Sequence, residues 1–303
     1  MNKVTLRVPA TSANCGPGFD SLGLACTLYN EVTYELIDHG FELKVEGDGA
    51  DYLKPFGGNL AFRSFFKVWN DLHDHKQTGL KVTMVNRIPM SRGLGSSSAA
   101  IVGGVVAANI LSGDEFTKEQ LLYYANEIEG HPDNVAPAIF GNFTISYLDN
   151  KRPHSLVVKP VKPLKFIAVV PELKLSTALA RAAIPATVSH KDAVFNASRT
   201  ALLVGAIMSG EYDRLAVALE DKLHQPYRAH LIPGLLDVFE VAKNKGAYNA
   251  IISGAGSTVM AYADPAQDCE AIGAAMCEVF KKQGIESRYH LLDLDTVGTT
   301  QIL

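Results

Sequence analysis

Pro89-Met-Ser-Arg-Gly-Leu-Gly-Ser-Ser-Ser-Ala-Ala100 is the segment that decides how this chain folds. Two glycines bracket Leu94, three serines follow, and an apolar run then predicts a helix that reaches about Leu111. A glycine turn that leads into a helix offers free backbone N–H groups, and the helix dipole adds partial positive charge there. We therefore predict a phosphate-binding loop. It has no Gly-Lys-Ser or Gly-Lys-Thr step, which separates it from the Walker type.

Two simpler interpretations of this segment compete with phosphate binding. A flexible Gly/Ser linker is not usually followed at once by a run of apolar and small residues at helical spacing. A helix cap accounts for one serine, but it leaves the other serines and the Gly-Leu-Gly turn unexplained. Phosphate binding accounts for the whole segment.

Composition restricts the class of protein and the partners that it attracts. The 303 residues are 47% apolar and 20% charged, as in a globular protein of two ordinary domains. A formal net charge of −4 offers no general attraction to nucleic acid or to a membrane, so we expect neither as a partner. The four cysteines lack zinc-ligand spacing, and neither a signal peptide nor a membrane span is evident. We therefore expect a cytoplasmic protein with reduced thiols.

The order of alternating and helical patterns predicts an α+β fold with two domains. Strands come first, at 3–8 and within 24–36, and helices and strands then mix. Three prolines and several basic residues make 150–163 the best domain boundary, which divides the chain into 1–158 and 159–303. A second glycine turn, Ser253-Gly-Ala-Gly-Ser-Thr258, follows a predicted strand in the C-terminal part.

Several segments together resemble the motifs of one superfamily, the GHMP kinases. These segments are Pro9-Ala-Thr-Ser-Ala-Asn-Cys-Gly-Pro-Gly-Phe-Asp20, Pro89–Ala100, Glu129-Gly-His-Pro-Asp-Asn-Val-Ala-Pro137, Ser176-Thr-Ala-Leu-Ala-Arg-Ala-Ala-Ile-Pro185, His224-Gln-Pro-Tyr-Arg228 and Ser253–Thr258. A Gly-Leu-Gly-Ser-Ser loop alone would indicate only the superfamily. The full set is most similar to the homoserine kinase family, and the resemblance covers nearly the whole chain.

The resemblance implies a fold and a reaction. It implies a ribosomal protein S5 domain 2-like N-terminal domain and a ferredoxin-like C-terminal domain, with the ligands in the cleft between them. The implied reaction converts ATP and L-homoserine into ADP and O-phospho-L-homoserine, a step of threonine biosynthesis, with Mg²⁺ as the metal. The oligomeric state, with a homodimer as the candidate, and feedback inhibition by threonine stay open.

The charges of homoserine indicate which residues of the matched motifs bind it. A carboxylate fits the guanidinium fork of arginine, and Arg181 and Arg228 lie in the matching segments. An ammonium fits an acid, and Asp20 is the candidate, with Asn14 as its hydrogen-bonding neighbour. Thr177 completes the implied substrate set. Without the family match, Asn14 and Asp20 also fit ordinary turn chemistry, and each arginine fits a surface ion pair.

The resemblance also indicates the metal ligands. A magnesium ion takes oxygen ligands, and by resemblance these are Ser97 and a glutamate just before His131. We favour Glu129, because it lies inside the matched segment. Glu127 stays open as the alternative, and one of the two glutamates is then a solvated residue near a helix end.

The residue beside the reacting hydroxyl is left open between two neighbours, Asp133 and Asn134. We assign Asn134, because attack by a primary alcohol through a loose transition state needs little help from a base. His131 is a candidate to orient the hydroxyl or the amino group. Its alternative role is that of a helix-terminal histidine satisfied by backbone groups.

The predicted nucleotide-binding residues comprise the phosphate loop, a helix start earlier in the chain, and the arginine before the loop. They are Asn59, Arg87, Pro89, Met90, Ser91, Arg92, Gly93, Leu94, Gly95, Ser96, Ser97, Ser98 and Ala99.

Two other functions compete with the phosphorylation of homoserine. Another GHMP kinase, acting on mevalonate or a sugar, shares the phosphate loop but has no need for two arginines and an acid around an amino acid. A non-catalytic ligand sensor of the same fold is the second alternative, since a fold does not give a function. We expect such a sensor to have lost loop glycines or the metal acid, whereas this chain retains Gly93, Gly95, Ser97 and Glu129.

Overall fold

The computed structural model describes residues 1–51, 53–54, 58–75 and 77–303. The strands in this part of the chain are β1 Lys3–Ala13, β2 Leu22–Ile37, β3 Phe41–Gly47, β4 Gly79–Asn86, β5 Phe143–Asp149, β6 Arg152–Val158, β7 Lys165–Pro171, β8 Asn249–Ile252, β9 Val259–Ala263, β10 Ser287–Leu292 and β11 Thr300–Gln301.

The helices of the described residues include long helices on the two sheets and short ones around the cleft. They are α1 Leu60–Leu72, α2 Ser96–Leu111, α3 Lys118–Glu129, α4 Pro132–Phe140, α5 Thr177–Ala182, α6 His190–Ser209, α7 Leu215–Ala218, α8 Gln225–Arg228, α9 Leu235–Asn244 and α10 Cys269–Lys282, with 3₁₀ turns at Tyr212–Arg214 and Ala229–Leu231. Within the described ranges, none of these helices combines the length and apolar character needed to cross a bilayer.

The strands form two separate sheets, which confirms the α+β class. The first has seven strands in the order β11-β1-β2-β4-β3, with β5 paired to β2 and β6 paired to β5. The second has four antiparallel strands in the order β10-β7-β9-β8. Numbered within the C-terminal part, this order is fourth, first, third, second, and α10 precedes the last strand, as in a ferredoxin-like domain. Because β11 returns to the first sheet, the division at 158/159 stays a prediction.

Strand β1 is longer than the strand predicted at 3–8. The strand continues to Ala13 through an irregularity of the register between Pro9 and Ala10. Proline has no N–H to donate to a ladder, and a bulge is one of the places where a sheet tolerates it. The extension carries buried small residues directly to the edge of the cleft.

The stretch 150–163, predicted as a domain boundary, contains the strand β6. It pairs with β5 from Asp149 opposite Arg152 to Phe143 opposite Val158. Within the described residues β6 has no second neighbour, and an edge strand accommodates Pro153. The prolines and charges that indicated a linker are therefore those of an exposed sheet edge.

Helix α4 is absent from the predicted elements, because its prolines argue against a helix. Pro132 occupies the first turn, where a missing N–H costs nothing, and Pro137 lies inside the helix. The helix is held on both sides by burial: Val135, Ala136 and Ile139 are all in the core. Burial of this face outweighs the proline penalty and fixes the chain that follows Glu129.

Helix α2, which follows the phosphate loop, is buried by α1 and β1. Gly104 faces α1 so closely that a Cβ there would overlap Ser64 Oγ and lie 2.6 Å from the carbonyl oxygen of Ala61. Small residues thus set the spacing of the two helices, and α2 cannot shift without disturbing the loop at its N-terminus.

We expect Gly104→Ala to lower the free energy of unfolding by roughly 1–3 kcal/mol, because overpacking outweighs the gain in helix propensity. Gly205→Ala is the matched control, since Gly205 lies inside α6 with no described atom within 4 Å of the position that a Cβ would take. There the same change should raise stability by about 0.5–1 kcal/mol. Urea unfolding of both variants measures this. Stabilisation by Gly104→Ala would contradict the close packing of α1 and α2.

Candidate active site

A cleft of about 580 Å³ lies where the two sheets meet, and it collects most of the predicted residues. The predicted site residues that line this central cleft are Asn14, Asp20, Asn59, Met90, Ser91, Arg92, Gly93, Gly95, Ser96, Ser97, Ser98, Glu129, His131, Asn134, Thr177, Arg181 and Arg228. They come from both parts of the chain, so a single ligand in the cleft would contact the N-terminal and C-terminal parts together.

Four predicted nucleotide-binding residues do not line this cleft. Leu94 and Ala99 are buried in the core. Arg87 and Pro89 line a second pocket behind the loop. The Arg87 guanidinium donates to Glu31 across 3.1 Å on the surface, so the structure does not bring this arginine to the cleft.

The phosphate loop ends in a glycine that opens α2. Gly95 is the N-cap with φ 71°, a left-handed conformation that favours glycine, and no side chain of the described residues caps the helix. The first N–H groups of α2 are therefore available to an anion in the cleft. A Cβ on Gly95 would overlap the Thr11 hydroxyl, so the residue must also be small.

The second glycine turn holds the phosphate loop from the C-terminal side. Ser253 Oγ donates to the carbonyl oxygen of Gly93 across 2.6 Å, and the Thr258 N–H donates to the carbonyl oxygen of Arg92 across 3.0 Å. Gly93 approaches the backbone of Ser253 so closely that a Cβ would overlap its carbonyl oxygen. The Arg92 guanidinium donates to the carbonyl oxygen of Pro171. The loop is thus fixed by both halves of the chain.

A glutamate and two hydroxyl groups converge at the N-terminus of α2. Ser98 Oγ lies 2.8 Å from Glu129 Oε1, whereas Ser97 Oγ lies 3.5 Å from Glu129 Oε2, so Ser98 makes the closer contact. Burial raises the pKa of Glu129, although the bond from Ser98 and the charge of His131 act in the opposite direction. Glu127 is exposed and does not line the cleft.

The oxygen donors at this point suit a magnesium ion. A carboxylate and a serine hydroxyl are hard oxygen ligands, and Mg²⁺ usually takes one or two such protein ligands together with waters and phosphate oxygens. The raised pKa of Glu129 reflects a partly desolvated carboxylate, for which a cation is the natural partner.

The partly buried His131 and the buried Asp133 form a pair that lines the cleft. His131 Nδ1 lies 2.5 Å from Asp133 Oδ1, and Asp133 is 1% exposed. Burial by itself would lower the pKa of His131, but the bond to Asp133 and the charges of Asp133 and Glu129 raise it. Asn134 is turned differently: its Oδ1 accepts a hydrogen bond of 2.8 Å from Thr11 Oγ1, and both Asp133 and Asn134 line the cleft.

Asp20 and Arg181 face each other across the cleft in a two-bond ion pair. Arg181 donates to both carboxylate oxygens of Asp20, at 2.7 and 3.0 Å, and this bond raises the pKa of the arginine. Asn14 positions the acid, because its Oδ1 accepts from the Asp20 N–H and its Nδ2 donates to Gly254. Asp20 also shares a small space with His131 and Asp133, since one ligand atom of each lies within 4.8 Å of the others.

Arg228 is a buried guanidinium at the same end of the cleft. Its Nε donates to the carbonyl oxygen of Ala180 and its Nη1 to that of Gly254, at 3.0 and 3.1 Å. Burial, followed by the repulsion of Arg181, lowers its pKa to about 10. The group is 2% exposed and still borders the cleft, so an anion there would meet a desolvated positive charge.

Two other predicted residues are helix starts. Thr177 begins α5 after the N-cap Ser176 and is exposed at the mouth of the cleft. Asn59 caps α1: its Oδ1 accepts from the Ala61 N–H at 3.0 Å. Both residues line the cleft, while the hydrogen bond of Asn59 also satisfies ordinary capping.

Several residues that support the site were not among the predicted ones. Thr11 binds Asn134, and Ser253 binds Gly93. Asp221 binds the backbone of His224, whose ring contacts Arg228. His224 lies in a quoted motif, and its four-residue spacing from Arg228 is the signal that could have indicated their contact, because residues four apart are neighbours on a helix. Thr11 and Ser253 lack a local signal, because their partners Asn134 and Gly93 are distant in the sequence, whereas Asp221 binds the N–H groups two to four residues after it, as an acid before a helix does.

Comparison with known proteins agrees with this geometry. The family models for the GHMP kinases N terminal domain and the GHMP kinases C terminal domain match residues 59–142 and 200–282. A homoserine kinase from Carboxydothermus hydrogenoformans is 42% identical over 284 residues, which are 94% of this chain and 92% of that protein. One from Desulfitobacterium hafniense is 41% identical over 99% of this chain and 100% of that protein.

Solved structures show the same architecture. The crystal structure of homoserine kinase from Cytophaga hutchinsonii has a TM-score of 0.91 and 27% identity, over 100% of this chain and 98% of that one. L. major mevalonate kinase, with 15% identity and a TM-score of 0.73 over 96% and 95%, shares the fold alone. The two-domain GHMP kinase fold is therefore confirmed, and this chain belongs to the homoserine kinases of the GHMP kinase superfamily.

Proposed function

We propose that the central cleft transfers the γ-phosphoryl group of ATP to the side-chain hydroxyl of L-homoserine, giving ADP and O-phospho-L-homoserine. One observation carries this assignment. Two arginines and two acids, Arg181, Arg228, Asp20 and Asp133, line the same cleft as the open N-terminus of α2. A zwitterion suits the charged side chains, and a chain of phosphates suits the helix N-terminus.

Different charged residues of the cleft bind the carboxylate and the ammonium of the amino acid. The substrate carboxylate lies against Arg228 and Arg181, since these guanidinium groups border the cleft as donors. The ammonium lies in the space shared by Asp20, His131 and Asp133, which collects two carboxylates. This orientation directs the side-chain hydroxyl toward Asn134 and the phosphate loop.

When the substrate binds, the bonds between Asp20 and Arg181 are replaced by bonds from each residue to the substrate. Without ligand, each group neutralises the other through two hydrogen bonds. A zwitterion offers a carboxylate to the arginine and an ammonium to the acid, so both remain compensated after binding. A ligand with only one of these charges would leave one protein group without a partner, which is costly in a partly buried site.

The chemical step is an in-line displacement at the γ-phosphorus. The homoserine oxygen forms a bond to the phosphorus, the bond to the bridging oxygen of ADP breaks, and the hydroxyl proton leaves to solvent or phosphate. Asn134, held by Thr11, orients the hydroxyl, and the backbone N–H groups of α2 stabilise the charge of the phosphates. Glu129 with Ser98 or Ser97 would hold a magnesium ion, which supplies neutralisation of phosphate charge when it is bound.

A coupled assay distinguishes the possible substrates. With Mg-ATP, purified protein should release ADP in a coupled assay when L-homoserine is added, because homoserine has both a carboxylate and an ammonium, whereas mevalonate lacks the ammonium and galactose lacks both. Mevalonate and galactose should give only background release. ADP release with mevalonate or galactose, but none with homoserine, would show that the cleft serves a different kinase reaction.

Substitution of Asp20 tests whether this residue binds the ammonium of the substrate. Asp20→Asn should raise the KM for homoserine roughly 10–100-fold, because a charge-assisted bond is worth about 1.5–3 kcal/mol. The KM for ATP should stay unchanged. Glu220→Gln is the control, since Glu220 forms an ion pair with Arg199 outside the cleft. If wild-type protein uses 4-hydroxybutyrate as well as homoserine, Asp20 does not read an ammonium.

Substitution of Glu129 separates catalysis led by the metal from catalysis led by a base. Glu129→Gln should lower kcat roughly 10²-fold through loss of a metal ligand, and additional Mg²⁺ should restore part of it. Glu127→Gln, on the exposed face of the same helix α3, is the matched control and should have wild-type kcat.

Asp133→Asn completes this comparison. A general base contributes about 10²–10⁴-fold, and we expect kcat to fall by less than about tenfold because Asp133 is not the proton acceptor. A collapse of kcat in folded Asp133→Asn, with normal binding of ATP and homoserine, would make Asp133 the base and contradict this mechanism.

A further inference from the structure

Arg228 has only one nitrogen without a partner among the described residues. Its Nε donates to Ala180, and its Nη1 lies 3.1 Å from the Gly254 carbonyl oxygen and 3.1 Å from His224 Nδ1. Its Nη2 is the donor left for a ligand. The orientation of a flexible arginine side chain is therefore set by three fixed acceptors, one of which is the imidazole of His224.

The hydrogen-bond partners of His224 are compatible with one protonation state. Its Nε2 lies 2.8 Å from the carbonyl oxygen of Gly16, which only accepts, so Nε2 carries a proton. Its Nδ1 faces Arg228, which only donates, so Nδ1 carries a lone pair. Both bonds form together only in the neutral Nε2–H tautomer. A protonated ring would turn an N–H toward the guanidinium and lose this contact.

Asp221 fixes the backbone that carries both residues. Its side chain is fully buried, and it accepts from the N–H groups of Leu223, His224 and Gln225 and from the amide of Asn196. It thereby closes the start of the short helix α8, at whose last position Arg228 stands. The carboxylate is already satisfied by these four bonds.

We propose that His224 is a positioning residue, which as the neutral Nε2–H tautomer holds Arg228 so that Nη2 faces the substrate carboxylate. The carboxylate as ligand rests on the proposed function, whereas the tautomer and the contact with Arg228 do not. His224 has no contact with the cleft itself, since it is 0% exposed and stands behind Arg228.

The charges around the ring agree with a neutral imidazole. Asp221 Oδ2 lies 3.6 Å from Nε2, Arg228 faces Nδ1, Asp20 acts from the first loop, and the Phe19 ring packs at 5.2 Å. Burial lowers the pKa of His224, with the charge of Arg228 in the same direction and those of Asp221 and Asp20 opposed to it.

An isosteric pair of variants tests the contact. His224→Asn retains an acceptor at the δ position for Arg228, and His224→Leu has the same branched shape with no acceptor; both lose the bond to Gly16. We expect the KM for homoserine to be about tenfold higher in His224→Leu than in His224→Asn, the loss of one hydrogen bond to a charged group. The KM for ATP and the urea midpoint should be the same in both variants.

The same pair in an Arg228→Lys background is the decisive control. A lysine does not reproduce the guanidinium contact, so the tenfold difference in the KM for homoserine should disappear there. Equal KM values for homoserine in the two single variants would overturn the proposal. So would a tenfold difference in KM that persists in the Arg228→Lys background, because a merely structural histidine gives those results.

A measurement on the wild-type protein keeps the inference testable if His224→Leu does not fold. ¹⁵N NMR of the histidine rings should show His224 neutral with its proton on Nε2 at neutral pH, before and after addition of homoserine. A proton on Nδ1, or a charged ring, would overturn the proposal. This result does not depend on which substrate the cleft accepts, so it separates failure of this inference from failure of the proposed function.

Discussion

The close contact of Gly93 with Ser253 is the constraint on which the site depends. The phosphate loop follows a strand of the first sheet. Its backbone is held by the hydroxyl of Ser253 and the N–H of Thr258, which belong to the second glycine turn. Any side chain at Gly93 would separate the two. The same contact that joins the halves of the chain therefore fixes the anion-binding start of α2, and it places the substrate residues of both halves around one cleft.

Several charged groups of the cleft have hydrogen-bonding partners before any ligand enters. Asp20 and Arg181 neutralise each other, Asp133 is hydrogen-bonded to His131, and Arg228 donates to two carbonyl oxygens and an imidazole. Such an arrangement avoids the cost of isolated buried charges. It also selects for a zwitterionic ligand, because such a ligand gives both Asp20 and Arg181 a new partner of opposite charge.

Much of this arrangement follows from sequence patterns, and the failures have physical causes. The glycine loop before α2 has a local signature, since its conformation and its approach to Thr11 require small residues. β6 and α4 were not predicted, because their prolines usually end a strand or a helix. A strand at a sheet edge and a helix with one buried face both tolerate them. Asn14 and His224 are anchored by the carbonyl oxygens of Gly254 and Gly16, which lie more than 200 residues away, and no local spacing encodes those contacts. Arg87 lies beside the loop in sequence, yet it pairs with Glu31 on the surface.

A crystal structure with L-homoserine and a non-hydrolysable ATP analogue would show how the cleft orients its substrate. We expect the substrate carboxylate at Arg228 and Arg181, the ammonium at Asp20 and Asp133, and the hydroxyl directed at the γ-phosphate beside Asn134. The Asp20–Arg181 bonds should be replaced by bonds to the substrate. Homoserine bound in the reverse orientation, or outside the cleft with that ion pair intact, would contradict the account.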